Sequence, residues 1–208
     1  LGDASVHLAE LERRAGQALA RYHTAARELS SSRLGAAQRL DANVTGLMQV
    51  LGMAGGVFRT RIEITEPPPT SECGIDDIEF EVSANPGQPL RPLARVASGG
   101  ELSRMSLALQ VATLGSDRRA CLVFDEVDAG VGGAVAEMVG RQLAALADSG
   151  QVLCVTHLAQ VAVQADRQLR VAKHTERGAT RTSLDELEGD TRVEEIARLA
   201  TIEEGKGL

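Results

Sequence analysis

Apolar residues recur from Leu8 through Leu11, Ala15, Ala18, Tyr22, Ala25 and Leu29, in alternating steps of three and four. This spacing is the a/d seam of a coiled coil, and Glu10, Glu12, Arg13, Arg14, Arg21 and Arg27 fall between as a solvated face. A plain surface helix of a bundle fits the same pattern, because three heptads are close to the minimum for a coiled coil. The period shifts near Arg33 and resumes through Leu34, Leu40, Val44, Leu47 and Leu51, which predicts a break at Ser30-Ser31-Ser32 and a restart. The glycines between Gly52 and Gly56 end the helix.

The period then drops to two. Phe58, Thr60, Ile62 and Ile64 alternate with Val57, Arg59, Arg61 and Glu63, and later Ile78, Phe80 and Val82 alternate with Asp77, Glu79 and Glu81. These are two half-buried strands. The stretch Glu66-Pro67-Pro68-Pro69-Thr70 between them cannot continue a ladder, so an antiparallel pair is expected, with Arg59 and Arg61 facing the acidic side of the partner strand. Asn85-Pro86-Gly87, Pro89 and Pro92 mark an irregular connection. Beyond it the short continuous apolar runs Cys121-Leu122-Val123-Phe124 and Val152-Leu153-Cys154-Val155 read as strands buried on both faces, joined by a helix from about Gly133 to Ala147. That is a βαβ unit. Leu169 to Ala172 and Thr180 to Leu184 add two strands about a Glu176-Arg177-Gly178 turn, and a helix around Val193 to Ala200 closes the chain. The domains expected are therefore 1–52, a coiled-coil helix; 53–95, a strand pair and its Pro-rich connection; and 96–208, an α/β lobe.

Composition changes this picture in three places. The chain has 208 residues, 43% hydrophobic and 25% charged, which excludes disorder and secreted disulfide scaffolds, but only three Phe, one Tyr and no Trp. Burial must therefore come from Ala, Val and Leu. The formal charge of -7 argues against coating nucleic acid by bulk electrostatics, yet residues 1–61 carry eight Arg against five acids, so the arm alone is basic, at +3. DNA contact by the arm stands against the plainer reading of a solvated helix face. Cys73, Cys121 and Cys154 are too few and scattered for disulfides or zinc and read as reduced cytosolic thiols. No apolar run reaches the roughly 18 residues of a membrane span. Leu1 in place of Met suggests a piece of a longer polypeptide.

Candidate chemistry lies in the second half. Ser98-Gly99-Gly100-Glu101 directly precedes a helical pattern; Ser98 suits an N-cap, and the glycines let a backbone approach an anion at the helix N-terminus, although a plain capped start has the same residues. The run 121–124 empties into Asp125 and Glu126, with Asp128 close behind, at the strand edge where open α/β sheets place ligands. One carboxylate there can hold Mg²⁺ through water and the other can orient a water for attack on a phosphoryl group; strand-end acids that merely cap the next helix are the alternative. The next strand ends in Thr156-His157 on the same edge, where an imidazole can meet a phosphate oxygen or a water.

Together these strings resemble the ABC-class ATPases: Ala97-Ser98-Gly99-Gly100-Glu101 is similar to their signature motif, Cys121 to Glu126 to their Walker B, and Val155-Thr156-His157 to their switch-histidine loop. The longer strings Phe124-Asp125-Glu126-Val127-Asp128-Ala129-Gly130-Val131-Gly132-Gly133 and Thr156-His157-Leu158-Ala159-Gln160-Val161-Ala162 resemble more narrowly the RecN family, bacterial SMC-like proteins of DNA double-strand-break repair. The likeness is strong over about residues 95–175 and one of character elsewhere. It departs at Gly132, where ABC-type ATPases generally carry Asp. It departs again in the P-loop: Gly-x-x-x-x-Gly-Lys-[Ser/Thr] needs a lysine, and neither Lys173, after Ala172, nor Lys206, before Gly207, fits.

In SMC-like proteins the missing P-loop belongs to the N-terminal half of the polypeptide, across a long coiled coil. The resemblance therefore implies the C-terminal lobe of an ABC/SMC-type ATPase head, a mostly parallel sheet flanked by helices, preceded by a coiled-coil helix and an antiparallel strand pair. It implies ATP and Mg²⁺ as cofactors, with Ser98, Gly99, Gly100 and Glu101 reaching nucleotide bound to an opposite head, Asp125 supporting Mg²⁺, and Glu126 and His157 catalytic. The implied partners are the N-terminal half, a second head in an ATP-dependent homodimer, and double-stranded DNA or its ends, in the bacterial cytoplasm at the nucleoid and not at a membrane. This chain alone is expected to be inactive. Another SMC-like or ABC-class head, a transporter-type ABC subunit and a non-catalytic coiled-coil module are the alternatives.

Overall fold

A computed structural model describes residues 2–64, 70–96, 98–113, 119–176 and 179–205. Pro67 to Pro69, Ala97, Arg177, Gly178 and Lys206 lie outside them. The first element is one uninterrupted helix, α1 (Gly2–Val50). The expected break at Ser30 to Ser32 is absent. Ser30 is buried beside Asp76 of the following hairpin, whose carboxylate it helps to hold charged, so the serine run marks a contact and not an end. Glu10 pairs with Arg13 and Arg14 on the solvated face, at i,i+3 and i,i+4. The helix closes with Met53 N–H donating to Met48 O at 3.0 Å around Gly52, whose φ of 81° is the left-handed conformation this C-cap requires. A Cβ there would stand 2.9 Å from Val135 Cγ1.

Two strands follow, β1 (Val57–Ile64) and β2 (Asp76–Ser83), antiparallel with Phe58 opposite Val82 and Arg61 opposite Glu79. Arg61 reaches Glu79 and Glu81 across the pair, as expected of it, and Glu63 on its own strand. A two-residue β3 (Arg91–Pro92) adds to the far side of β2, leaving β1 as the edge. That edge is tied to α1 by side chains: Asp41 accepts from Thr60 N–H at 2.8 Å, and Thr45 Oγ1 accepts from Phe58 N–H at 3.0 Å. Helix and sheet thus share one core from the start.

The lobe continues through α2 (Gly99–Ala112), β4 (Arg119–Phe124), α3 (Gly133–Ala147), β5 (Gly150–Cys154) and the single turn α4 (Ala159–Ala162). The pair β4–β5 is parallel, with α3 as its crossover, as the two apolar runs predict. A hairpin of β6 (Gln168–Glu176) and β7 (Ala179–Leu187) and a last helix α5 (Gly189–Gly205) complete the order. Among the described residues the parallel sheet is therefore two-stranded, and the other strands pair antiparallel. One core joins Val44 and Met48 of α1, Leu51 just after it, Phe58, Met105, Leu107, Phe124, Val139 and Leu146. A satellite of Ala159, Ala162 and Leu199 holds α5 to α4.

One expectation fails in the sheet. Phe124 is buried, but Val123, Leu153 and Val155 are 68%, 45% and 63% exposed, so β4 and β5 are covered on one face only. Continuous apolar runs report that both faces suit burial; they do not say that the same segment supplies both covers.

Candidate functional site

At the end of β4 the chain turns sharply. Glu126 has φ of 56°, the single non-glycine residue in the left-handed region among the described residues. Its N–H donates to Asp125 Oδ1 at 2.9 Å, and its carbonyl accepts from Ala129 N–H at 3.0 Å. A carboxylate residue held in a sparsely populated backbone conformation is strain maintained by its surroundings. Gly130 and Gly133, at φ of 72° and 53°, carry the loop on into α3.

The first turn of α2 is pressed onto this loop. Ser98 caps the helix, its Oγ accepting from Glu101 N–H at 3.4 Å, and Glu101 places a negative charge where the helix dipole favours it. A Cβ on Gly99 would come 2.5 Å from Glu126 Oε2, and one on Gly100 would come 3.0 Å from Ala129 Cβ. Gly100 therefore serves the close packing of the helix start on the loop backbone, whereas at Gly99 the neighbour is the far end of the Glu126 side chain. One turn further, Ser103 Oγ donates to Asp125 O at 2.7 Å and Arg104 Nη1 donates to Ala129 O at 2.8 Å. Burial pushes the Arg104 guanidinium below its ordinary range, against the opposing pull of Glu101.

The loop after β5 joins the same cluster. Val155 N–H donates to Phe124 O at 2.9 Å, extending the parallel register to the point where both strands open. Asp128, buried to 2% exposure, then receives the Thr156 hydroxyl at 2.5 Å and the His157 backbone N–H at 3.1 Å, while His157 Nδ1 lies 3.4 Å away. The Cys154 thiol beneath is pushed up to about 12 by burial first and then by the charges of Asp128 and Asp125, so it stays protonated. It is no nucleophile.

Every residue singled out in the sequence thus falls in one place. Ser98, Gly99, Gly100 and Glu101 form the start of α2, Asp125 and Glu126 leave β4, and His157 leaves β5. Gly99 touches Glu126 directly, and His157 reaches the carboxylate loop through Asp128. Ser103, Arg104 and Thr156 carry contacts that the sequence reading gave no role, and Asp128 was noted only for its proximity. For Asp128 and Thr156 the signal was available, since both lie inside the quoted strings. Among the described residues no three His, Cys, Asp or Glu side chains converge to hold a metal ion. A lone carboxylate such as Asp125, acting through water, would suit Mg²⁺, which keeps most of its waters and takes substrate phosphate as a ligand. Chemically, the cluster offers helix N–H groups for an anion, a carboxylate for a water and an imidazole within one loop system.

No protein-family model matches the chain. It is 45% identical over 194 residues to DNA repair protein RecN of Xylella fastidiosa, covering 93% of this chain and 35% of that protein. It is 47% identical over 178 residues to RecN of Vibrio cholerae and 44% identical over 171 residues to RecN of Deinococcus radiodurans, covering 86% and 82% of this chain and 32% and 30% of those proteins. The chain spans about a third of the length of these relatives. Among solved structures it superposes on the Smc head domain with a coiled coil and joint from Pyrococcus yayanosii, TM-score 0.64 at 18% identity over 93% of this chain and 35% of that one. It also superposes on the Smc head domain with an extended coiled coil bound to the C-terminal domain of ScpA from Pyrococcus furiosus, TM-score 0.59 at 18% identity over 93% and 46%. The fold is that of part of an Smc head.

Proposed function

Since the chain belongs with the RecN proteins along the third of their length that it spans, we propose that it is the C-terminal half of a split, SMC-like ATPase head acting in DNA double-strand-break repair. One observation carries this reading above the rest. The start of α2, the carboxylate loop after β4 and His157 form a single hydrogen-bonded cluster, while the sequence holds no lysine in a phosphate-cradling loop. Such a cluster has everything for phosphoryl chemistry except the cradle, and the N-terminal half of the polypeptide supplies that.

In this reading Ser98, Gly99 and Gly100, with Glu101 beside them, meet the terminal phosphate held by an opposite head. Asp125 supports Mg²⁺ through water, Glu126 takes the proton of the attacking water, and His157 contacts the terminal phosphate. Bound Mg²⁺–ATP supplies a phosphoryl group that both heads grip and that hydrolysis removes. The strained Glu126 backbone supports its role, because residues in sparsely populated backbone conformations cluster at functional sites. The bare β4–β5 face supports a second lobe of the same polypeptide: a parallel pair with Val123 and Val155 open to solvent lacks the cover such sheets have. The +3 arm supports DNA contact at the arm or across the dimer, and action in the cytoplasm at the nucleoid is part of the same proposal. Among the described residues no helix is long and apolar enough to cross a membrane.

The test is reconstitution. The purified chain releases no phosphate from ATP, and addition of the N-terminal half restores turnover that Glu126→Gln lowers on the order of 10²–10⁴-fold. In the intact protein that variant accumulates ATP-bound dimers by light scattering, whereas Ser98→Arg blocks dimerisation and leaves nucleotide binding unchanged. Turnover by the chain alone, abolished by Glu126→Gln, would overturn the split-head reading.

A further inference from the structure

We infer that Asp128 is the positioning residue for His157, an inference that rests on the proposed ATPase reading and extends it to a group the sequence left without a role. Asp128 belongs to the loop after β4 and Thr156 and His157 to the loop after β5, 28 and 29 residues away along the chain. A single oxygen, Asp128 Oδ2, receives the Thr156 hydroxyl and the His157 backbone N–H and stands 3.4 Å from His157 Nδ1. The Thr156 hydroxyl in turn accepts from Leu158 N–H at 3.1 Å, which carries the anchor on toward α4.

A buried carboxylate serves donors that would otherwise go unpaired away from water, and the Asp128 side chain is 3% exposed while that of His157 is 56% exposed. The anchored part is therefore the His157 backbone, with the Nδ1 edge of the ring 3.4 Å from the same oxygen and the opposite edge, with Nε2, left for a ligand. A carboxylate beside Nδ1 favours a proton on that nitrogen. Because Asp128 sits two residues after Glu126, the same short loop sets the general base and, through Oδ2, the imidazole that faces the phosphate. Asp128 touches neither substrate nor water in this scheme; it fixes the distance between two groups that do.

Substitution in the full-length protein tests this by rate and by spectroscopy. Asp128→Ala is expected to lower kcat on the order of tenfold or more with KM for ATP changed less than twofold, because a misplaced group loses rate before binding. Asp128→Asn, which keeps an acceptor in place, recovers most of that loss. In a His157→Ala background Asp128→Ala adds nothing further. Independently of activity, long-range ¹H–¹⁵N spectra of histidine-labelled protein, assigned by difference from His157→Ala, show the His157 proton on Nδ1 and its redistribution in Asp128→Ala. Should Asp128→Ala fail to fold, Thr156→Val against Thr156→Ser applies the same comparisons, with serine restoring what valine removes. An Asp128→Ala loss that is undiminished in His157→Ala, or a His157 ring signal that Asp128→Ala leaves unmoved, overturns the inference. An intact protein without ATPase activity would remove the proposed function instead, and the spectra would still decide whether Asp128 anchors His157.

Discussion

The two ends of α1 share one heptad habit and meet opposite surroundings. Toward the N-terminus Leu8 and Leu11 are 57% and 49% exposed, whereas Val44, Met48 and Leu51 at the other end are fully buried. The difference lies in what this chain supplies as cover. A segment from Ser71 to Asp76 climbs the helix like a strap: Tyr22 Oη accepts from Ser71 N–H at 3.0 Å, Ile75 is buried, and Arg33 Nη1 donates to Asp76 Oδ2 at 2.7 Å. Above Tyr22 nothing in the described residues lies over the seam. An a/d pattern therefore states that a partner is needed and not where it comes from. In the proposed head the outgoing helix of the N-terminal half takes that place, as its lobe takes the open face of β4–β5.

The largest expected effect is at the covered end. Met48→Ala removes a wholly buried side chain from the main core and is expected to destabilise by about 3 kcal/mol, read from the urea midpoint at unchanged slope. A loss no larger than that of a substitution above Tyr22 would erase the contrast between the two ends. The strap comes next. Arg33→Met leaves the wholly buried Asp76 carboxylate without its charged donor and is expected to lose about 2 kcal/mol. Burial alone would raise the Asp76 carboxyl, but the hydrogen bonds of Ser30 and Arg33 outweigh it and hold the group below its ordinary range. Its stabilising contribution is therefore full above about pH 4 and falls away as pH drops through the lowered native value. The gap in unfolding free energy between wild type and Arg33→Met should accordingly be constant near neutrality and narrow below about pH 4.

These contrasts also mark how far the sequence could be read. The β1–β2 pairing, α3 from Gly133 to Ala147 and the Ser98 cap were legible, because each follows from spacing within a few residues. The arm was legible in kind but, in its middle stretch, not in phase: between Tyr22 and Leu40 the buried positions are Ala26, Ser30 and Ala37, whereas Ala25 and Leu29, expected on the seam, are exposed. The strap decides this, and its residues lie some 45 positions away. Asp128 was invisible as an anchor for the same reason, its partners being on the other loop. The chemistry-bearing residues were found because their types and order are distinctive, while what holds them in place depends on contacts that local patterns do not encode.

The smallest expected effect is the sharpest form of the comparison. Leu11 sits on the seam above the strap, half exposed, and removing most of its side chain creates no cavity in this chain. Leu11→Ala should therefore change the stability of the isolated chain by less than about 0.5 kcal/mol, within the usual range for exposed positions. Once the proposed outgoing helix covers the seam, the same leucine becomes a knob in a hole, and its loss should weaken the complex with the N-terminal half by about 1 kcal/mol or more in titration calorimetry. The sign that matters is the increase from one setting to the other. If Leu11→Ala proved equally silent in the complex, the exposed seam would not be the contact with the N-terminal half, and the arm would be a solvated helix whose heptads end where the strap does.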